Sequence, residues 1–279
     1  MNLNWFPGHM TKTRRMIQEN LKLVDAVVEL VDARLPLSSR NPEILDITSH
    51  KPRLMVLNKC DMADSTATRK WLEYFRKEGA KTLAVSCATG EGIEKIKELA
   101  TDLLREKIER DAAKGVKRPV RLMVVGIPNV GKSTFINRIS GKAGTKTGDR
   151  PGVTRGKQWI RLASGIELLD TPGMLWPKFE DEQVALKLAF TGAIKDEVID
   201  TETLCCKLLE FLSHNYPENL KARYKLDELP QTGFEILEKI CQKRGFLAGK
   251  GEFDTLRGAS IILDEFRGCK LGKITLESV

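Results

Sequence analysis

The eight residues GIPNVGKS, at positions 126–133, have the composition and spacing of a phosphate-binding loop. They fit the pattern G-x-x-x-x-G-K-[ST], in which glycines let backbone N–H groups point into a phosphate-sized concavity. Lys132 would place its charge beside the β- and γ-phosphates of a nucleotide, and the Ser133 hydroxyl would bind Mg²⁺. A helix is predicted directly after the loop, and its N-terminus favours an anion. The predicted phosphate-binding residues are Asn129, Val130, Gly131, Lys132, Ser133 and Thr134.

Two further segments, NKCD at 58–61 and SCA at 86–88, have residue types suited to a guanine base. The Asp61 carboxylate can accept hydrogen bonds from both the N1–H and the 2-amino group of guanine, a pair of donors that adenine lacks. Asn58 can hold the loop and face the base edge, while the stem of Lys59 can lie along the ring. A backbone N–H of the SCA segment could point at guanine O6. The predicted base-binding residues are Asn58, Lys59, Cys60, Asp61, Ser86, Cys87 and Ala88.

The segment DTPG at 170–173 completes a set of groups around a triphosphate and its metal ion. Asp170 would hold the Mg²⁺ shell through water, and the Gly173 N–H could meet the γ-phosphate. Thr154, in PGVTRG, is a second hydroxyl for the metal, of the kind that orders a loop only when the γ-phosphate is present. The predicted metal-binding residues are therefore Ser133, Thr154 and Asp170.

The elements that must position these loops are buried strands alternating with helices. Apolar runs at 25–34, 53–58 and 121–126 predict strands of a parallel sheet, with helical patterns between them. Alternation of this kind predicts an α/β domain with a mostly parallel sheet, at whose carboxyl edge ligands bind. From about residue 180 onward the pattern is helical only. We therefore predict a nucleotide-binding domain over 1–178 and a smaller all-α domain over 179–279.

The order of the loops along the chain is unusual. A conventional G domain runs from the phosphate loop, through the threonine loop and DxxG, to the guanine loop and the SxA loop. Here the guanine and SCA loops come first, and the phosphate loop, Thr154 and DTPG follow. This is the same cycle cut at another point, which is tolerated when the original termini lie close together. The order predicts a circularly permuted P-loop G domain, with AAKGVKRP at 112–119 joining the old termini.

Charge and composition restrict the class of partner. The chain of 279 residues has a net charge of +8, but residues 181–279 hold 14 Lys/Arg against 17 Asp/Glu, so the excess lies in 1–180. A basic surface attracts polyanions, nucleic acid first. No apolar run approaches the ~18–20 residues needed to span a bilayer, and the N-terminus lacks the pattern of a signal or transit peptide. The six cysteines show no metal-ligand spacing, so we expect reduced thiols in a cytoplasmic protein.

These segments together resemble the circularly permuted GTPases of the YlqF family. The resemblance extends over the whole chain, from WFPGHM and DARLPLSSRNP through NKCD, SCATGEG, GIPNVGKST and GDRPGVTRG to DTPGMLWP and the helical C-terminal region. It implies a cytoplasmic GTPase that binds the large ribosomal subunit and its rRNA late in assembly and leaves on hydrolysis. We expect a monomer that binds GTP and GDP with Mg²⁺, does not bind membranes, hydrolyses GTP slowly alone and is stimulated by the subunit.

The resemblance also bears on the catalytic group. Ras-like GTPases orient water with a glutamine after DxxG, whereas this chain has Met174 there, as in GTPases with a hydrophobic residue at that position. By the resemblance the catalytic residue is His9, whose imidazole could position water or transfer a proton. Asn129 matches an asparagine that holds K⁺ beside the phosphates in similar GTPases. The helical domain resembles RNA-binding modules, and a local basic patch there would comprise Lys243, Arg244, Lys250, Arg257, Arg267 and Lys270.

Three other functions share part of this pattern. A GTPase switch acting on a protein or membrane partner would have every nucleotide motif, but it would not need the basic half of the chain. A tRNA-modification GTPase would need an additional catalytic group, which residues 180–279 do not suggest. An adenine-using P-loop enzyme is disfavoured by Asp61, which is suited to guanine.

Overall fold

The computed structural model describes residues 8–116, 118–141, 159–162, 165–176, 179, 181–194, 200–248 and 252–279, and only the backbone of residues 8–10. The chain forms two compact units. One comprises residues 2–179 together with 275–279, and the other comprises residues 180–274.

The first unit is an α/β sandwich built on six strands. The strands are β1 (Ala26–Asp32), β2 (Arg53–Asn58), β3 (Lys81–Ala84), β4 (Val120–Val125), β5 (Trp159–Arg161) and β6 (Ile166–Asp170). The helices are α1 (Gly8–Leu21), α2 (Pro42–Ile47), α3 (Ser65–Lys77), α4 (Lys95–Leu103), α5 (Arg105–Ala113) and α6 (Lys132–Ser140), with a short 3₁₀ helix at Cys60–Met62.

The sheet order is β3-β2-β1-β4-β6-β5. All neighbouring pairs are parallel except β5 and β6, which are antiparallel. Every residue of β1 and β6 is buried, as the apolar runs predict for strands covered on both faces. The parallel register brings the carboxyl ends of β1, β2, β3, β4 and β6 to one edge of the sheet. The predicted fold class, a permuted α/β G domain with a mostly parallel sheet, is confirmed.

Two separate apolar clusters pack against the sheet. In one, Ile17 and Leu21 of α1 pack with Val27, Met123 and Met174. In the other, Val31 and Leu57 pack with Trp71 and Phe75 of α3. Side chains alternate between faces along a strand, so Val27 and Val31, four residues apart in β1, point to the same face and join the two clusters at its two ends.

The second unit is helical in its described residues, apart from an isolated bridge between Leu247 and Phe253. Its helices are α7 (Glu182–Phe190), α8 (Thr201–Asn215), α9 (Pro217–Tyr224), α10 (Gly233–Arg244) and α11 (Thr255–Arg267). Helix α8 contacts all four of the others and buries leucines along its length. Aspartates cap α7, α8 and α11, and a Thr232–Glu235 capping box begins α10. No helix in the described ranges is long and apolar enough to cross a membrane.

The last five residues lie in a different unit from the one that the sequence predicts. We predict residues 275–279 within the helical domain, whereas they belong to the α/β unit. The reason is a set of specific hydrogen bonds. These bonds join the Asp64 N–H to Thr275 Oγ1 at 3.1 Å, the Leu276 N–H to the Arg34 carbonyl at 2.6 Å, and the Leu37 N–H to the Glu277 carboxylate at 2.7 Å.

Candidate functional site

The phosphate loop connects β4 to α6 at the carboxyl edge of the sheet. Gly131, the last residue before α6, has φ +98°, and a Cβ there would lie 2.4 Å from the Asn58 amide nitrogen. Only glycine fits this backbone at that distance. Asn129 is exposed and also left-handed, with φ +57°, and Val130 is buried. Ser133 and Thr134 lie in the first turn of α6, half-buried and exposed respectively.

Lys132 is held by the carbonyls of its own loop. Its ammonium donates to the Gly126 carbonyl at 3.1 Å and to the Ile127 carbonyl at 2.7 Å. Burial lowers the pKa of Lys132 to about 8, although the Asp170 charge opposes the shift. A buried ammonium with only neutral acceptors has a strong preference for an added anion. Lys132 can therefore bind a phosphate by exchanging carbonyl acceptors for phosphate oxygens.

Asp170 ends β6 beside Lys132 and is 8% exposed. Burial raises the pKa of this carboxyl group, and the charge of Lys132 opposes that effect. Within the described part of the chain, Asp170 Oδ1 is buried without a hydrogen-bond partner. An orphaned buried carboxylate oxygen is costly, so it is suited to a cation or to water bound by one.

The donor set fits Mg²⁺. Mg²⁺ prefers hard oxygen ligands and retains several waters, with one or two protein groups beside the substrate phosphates. Ser133 and Asp170 supply such oxygens. In the described ranges no three His, Cys, Asp or Glu side chains converge on a metal site. Thr154 lies outside the described residues.

The DTPG segment packs directly onto the phosphate loop. A Cβ at Gly173 would lie 2.7 Å from the Pro128 nitrogen and 2.9 Å from the Lys132 ammonium, so a side chain would collide with the loop. The Thr171 hydroxyl donates to the Val124 carbonyl at 2.6 Å and joins the ends of β6 and β4. These contacts place the Gly173 backbone directly against the phosphate loop.

Met174 is a core residue. It is 1% exposed and belongs to the same buried cluster as Ile17 and Leu21 of α1. Its N–H donates to the Gly126 carbonyl at 3.3 Å, and its carbonyl accepts from the Asn41 amide at 2.7 Å. The side chain is thus committed to packing, and a water-orienting group must come from another residue. His9 lies in the first turn of α1, and its side chain is outside the described part of the structure.

Asn58 joins the guanine loop to both of its neighbours. Its Nδ2 donates to the Val130 carbonyl of the phosphate loop at 2.9 Å, and its Oδ1 accepts from the Cys87 N–H at 3.1 Å. Asn58 is 2% exposed, so both hydrogen bonds are shielded from water. One amide therefore connects three loops that are far apart in the sequence.

Lys59 and Asp61 follow in the same turn. Lys59 is left-handed with φ +62°, and its ammonium donates to the Asn129 carbonyl at 2.8 Å. Asp61 is half-buried in the short 3₁₀ helix, whose first residue, Cys60, donates its N–H to the Val85 carbonyl at 3.2 Å. The Asp61 carboxylate thus lies on a turn that is hydrogen-bonded to the residue after β3.

The SCA loop is held from both sides. Ser86 is fully buried, and its hydroxyl accepts from the Thr89 N–H at 3.1 Å. Arg138 of α6 donates to the Cys87 carbonyl at 3.2 Å and to the Ala88 carbonyl at 2.6 Å. Burial raises the pKa of the Cys87 thiol to about 12, so this cysteine serves packing and not nucleophilic chemistry.

Three residues of this edge are not predicted by the sequence analysis. Arg138 has no sequence signal, because a basic residue in a helix is ordinary. Asp32 and Arg34 form a buried ion pair, with 2.8 Å between Arg34 Nη2 and Asp32 Oδ2. A carboxylate at the carboxyl end of a buried strand of a parallel sheet, where ligands bind, is a signal that could have identified Asp32.

Comparison with known proteins agrees with this geometry. The profile of a family described as "50S ribosome-binding GTPase" matches residues 121–227. The chain is 50% identical over 279 residues to ribosome biogenesis GTPase A of Bacillus cereus, and the match covers 100% of this chain and 94% of that protein. It is 33% identical to mitochondrial ribosome-associated GTPase 1 of Bos taurus, covering 98% of this chain and 88% of that protein.

A solved structure extends the similarity to the fold. The crystal structure of GNP-bound YlqF from T. maritima superposes with a TM-score of 0.65 at 28% identity. The match covers 96% of this chain and 98% of that chain. The similarity therefore includes both units.

Proposed function

We propose, because the chain belongs to the ribosome biogenesis GTPase A (YlqF) family, that it is a GTP-hydrolysing assembly factor of the large ribosomal subunit. In this proposal it binds the subunit in its GTP form during late maturation, in the cytoplasm, and is released on hydrolysis. The observation that carries the proposal is the position of Asn58, whose amide joins the guanine, SCA and phosphate loops at one sheet edge. Such a junction is suited to a ligand with both a guanine base and phosphates.

Nucleotide binding uses groups at both ends of the site. Asp61 accepts from the two guanine donors, and a backbone N–H of the 86–88 segment donates to O6. At the other end the loop N–H groups and Lys132 contact the phosphates, and Gly173 approaches the γ-phosphate. Mg²⁺, when bound near Ser133 and Asp170, neutralises charge on the β- and γ-phosphates. Titration with GTP, GDP and ATP tests this part, and equal affinity for ATP and GTP would contradict it.

Hydrolysis requires a water-positioning group, and His9 is our proposal for it. Helix α1 carries His9 in its first turn and packs through Ile17 and Leu21 in the cluster that holds Met174. Helix α1 thus packs in the same apolar cluster as Met174, the residue that follows DTPG. His9→Ala should leave GTP affinity unchanged and slow single-turnover hydrolysis on the large subunit. An unchanged single-turnover rate would remove His9 from the mechanism.

Potassium is a second ionic requirement that we propose. Asn129 is exposed in the phosphate loop, and in the proposal its side-chain oxygen would ligate a monovalent cation that offsets phosphate charge. GTPase rates in KCl and NaCl of equal ionic strength test this role. A K⁺ site at Asn129 predicts faster turnover in KCl for the parent protein and equal rates for Asn129→Ala.

Ribosome binding is the part of the proposal that rests on charge. The net positive charge of residues 1–180 favours rRNA, and the helical unit adds four exposed basic residues of the predicted patch, namely Lys243, Arg244, Arg257 and Lys270. Arg267 instead binds the end of helix α7, because its side chain donates to the carbonyls of Ala189 and Phe190. Lys250 lies outside the described residues.

Co-sedimentation with purified large subunits tests ribosome binding most directly. We expect binding with a non-hydrolysable GTP analogue, weaker binding with GDP, and a steep loss of affinity as salt rises. Lys132→Met, which removes a phosphate contact, is the nucleotide-binding control and should abolish the difference between the two nucleotides. Binding that is insensitive to nucleotide in the parent protein would favour a different partner.

A further inference from the structure

Asp32 links the guanine loop to the phosphate loop through a lysine. It ends β1, beside Asn58 in the sheet register, and is 3% exposed. Its Oδ2 lies 3.0 Å from the Lys59 ammonium. The same ammonium donates to the Asn129 carbonyl of the phosphate loop at 2.8 Å. Lys59 is thus held by a buried carboxylate on one side and the phosphate loop on the other.

We propose that Asp32 is a positioning residue for nucleotide binding, which orients Lys59 so that the guanine and phosphate loops bind as one preformed site. The inference rests on the proposed guanine-nucleotide ligand. A lysine side chain is flexible, and the loss of its rotamer entropy opposes its fixation. Its ammonium would otherwise be free to leave the phosphate loop, and each binding event would then have to order it again.

Arg34 makes Asp32 a rigid anchor. The Arg34 side chain donates to both carboxylate oxygens of Asp32, at 3.0 Å and 2.8 Å, and the Arg34 N–H donates to Oδ1 at 3.0 Å. Burial alone would raise the pKa of Asp32, but the Arg34 and Lys59 charges hold it well below its usual value. The carboxylate therefore remains charged, and three of its four cationic and N–H contacts come from Arg34, the fourth coming from Lys59.

Glu29 offers a matched control on the same strand. It lies three residues earlier in β1, is 2% exposed, and pairs with Arg40 at 3.3 Å and with Arg53 at 2.5 Å. In the described structure, the hydrogen bonds of the Glu29 carboxylate are with Arg40 and Arg53 and not with residues of the guanine or phosphate loops. Glu29→Gln therefore disturbs a buried arginine-paired carboxylate of the same sheet without touching Lys59.

The test is GDP titration of full-length variants by calorimetry, with Mg²⁺ present. Asp32→Asn should weaken GDP binding roughly tenfold or more, as the loss of a hydrogen bond to a charged group does, and Glu29→Gln should bind like the parent protein. Lys59→Met should also weaken binding, and Asp32→Asn in the Lys59→Met background should cause no additional loss. This coupling separates positioning from general destabilisation, which would act in both backgrounds.

Two outcomes would overturn the inference. One is parent-like affinity in Asp32→Asn, and the other is a double variant whose loss is the product of the two single losses. If Asp32→Asn does not fold, Asp32→Glu replaces it, and its smaller loss must likewise vanish in the Lys59→Met background. Failure of the parent protein to bind GDP would instead refute the proposed ligand, so the two failures are distinguishable.

Discussion

Gly131→Ala tests whether Asn58 holds the three loops together. A Cβ at Gly131 would lie 2.4 Å from Asn58 Nδ2, so alanine must displace the amide. The displacement breaks the hydrogen bonds of Asn58 to Val130 and Cys87, at about 1 kcal/mol each. The left-handed backbone, with φ +98°, adds about 1 kcal/mol for any residue with a Cβ. The total is about 3 kcal/mol.

Gly79→Ala isolates the backbone part of that cost. Gly79 has φ +84°, and the described structure has no heavy atom within 4 Å of a Cβ built there. Its expected cost is about 1 kcal/mol, with no effect on the site. The 2 kcal/mol difference between the two variants therefore reports the displacement of Asn58.

Two measurements together capture the full cost. Urea unfolding gives the stability of the ligand-free protein, and GDP titration gives the binding free energy. If the loops of Gly131→Ala keep their geometry, the free energy of unfolding decreases. If the loops relax, the GDP affinity decreases instead, by about 30-fold for 2 kcal/mol. Equal stability of Gly131→Ala and Gly79→Ala, with parent-like GDP affinity in both, would refute the reasoning.

Three further predictions concern other parts of the structure. Because burial lowers the pKa of Lys132 from 10.5 to about 8, the unfolded state binds more protons between these values, and the unfolding free energy of the ligand-free protein should rise over that pH range. In Lys132→Met, the unfolding free energy from urea curves should lack the increase that Lys132 causes over this pH range. An increase identical to that of the parent protein would contradict the lowered pKa of Lys132. Asp61→Asn should change the preference from GTP to xanthosine triphosphate in titrations, since an amide cannot accept from both guanine donors; undiminished GTP affinity would exclude the base contact. Deletion of residues 275–279 removes hydrogen bonds from Asp64, Leu276, Leu37, Ser38 and Trp71, and should lower the unfolding free energy by several kcal/mol at about 1 kcal/mol each, whereas deletion of the exposed residues 278–279 should leave it unchanged.

The loops of the site could be predicted from sequence because each follows a buried strand. An apolar run such as 121–126 predicts a strand in a parallel sheet, and parallel strands bring their carboxyl ends to one edge. The contacts between NKCD, SCA and the phosphate loop through Asn58 are a consequence of that convergence. A local sequence pattern is sufficient to predict a loop of the site, because each motif directly follows its strand in the chain.

Partners at long range were not predictable in this way. The Leu37 N–H meets Glu277 across 240 positions, and Arg138 meets Ala88 across 50. Periodicity identifies which face of an element is buried, but it does not identify which distant side chain lies against it. The same limit applies to Asp32 and Lys59, which come from adjacent strands.

The sheet order has a consequence for how the chain is made. Strand β1 is central in the finished sheet, paired with β2 on one side and β4 on the other. During synthesis β2 follows directly, whereas β4 is separated from β1 by about 90 residues, or roughly 5–20 s at ~5–20 residues per second. Throughout that interval β1, a strand whose every residue is buried in the final fold, is an open edge, and such edges pair readily with other chains. In the permuted order, the half of the domain predicted to bind the base is therefore synthesised first. One edge of its strand β1 stays unpaired until the half predicted to bind the phosphates has been made.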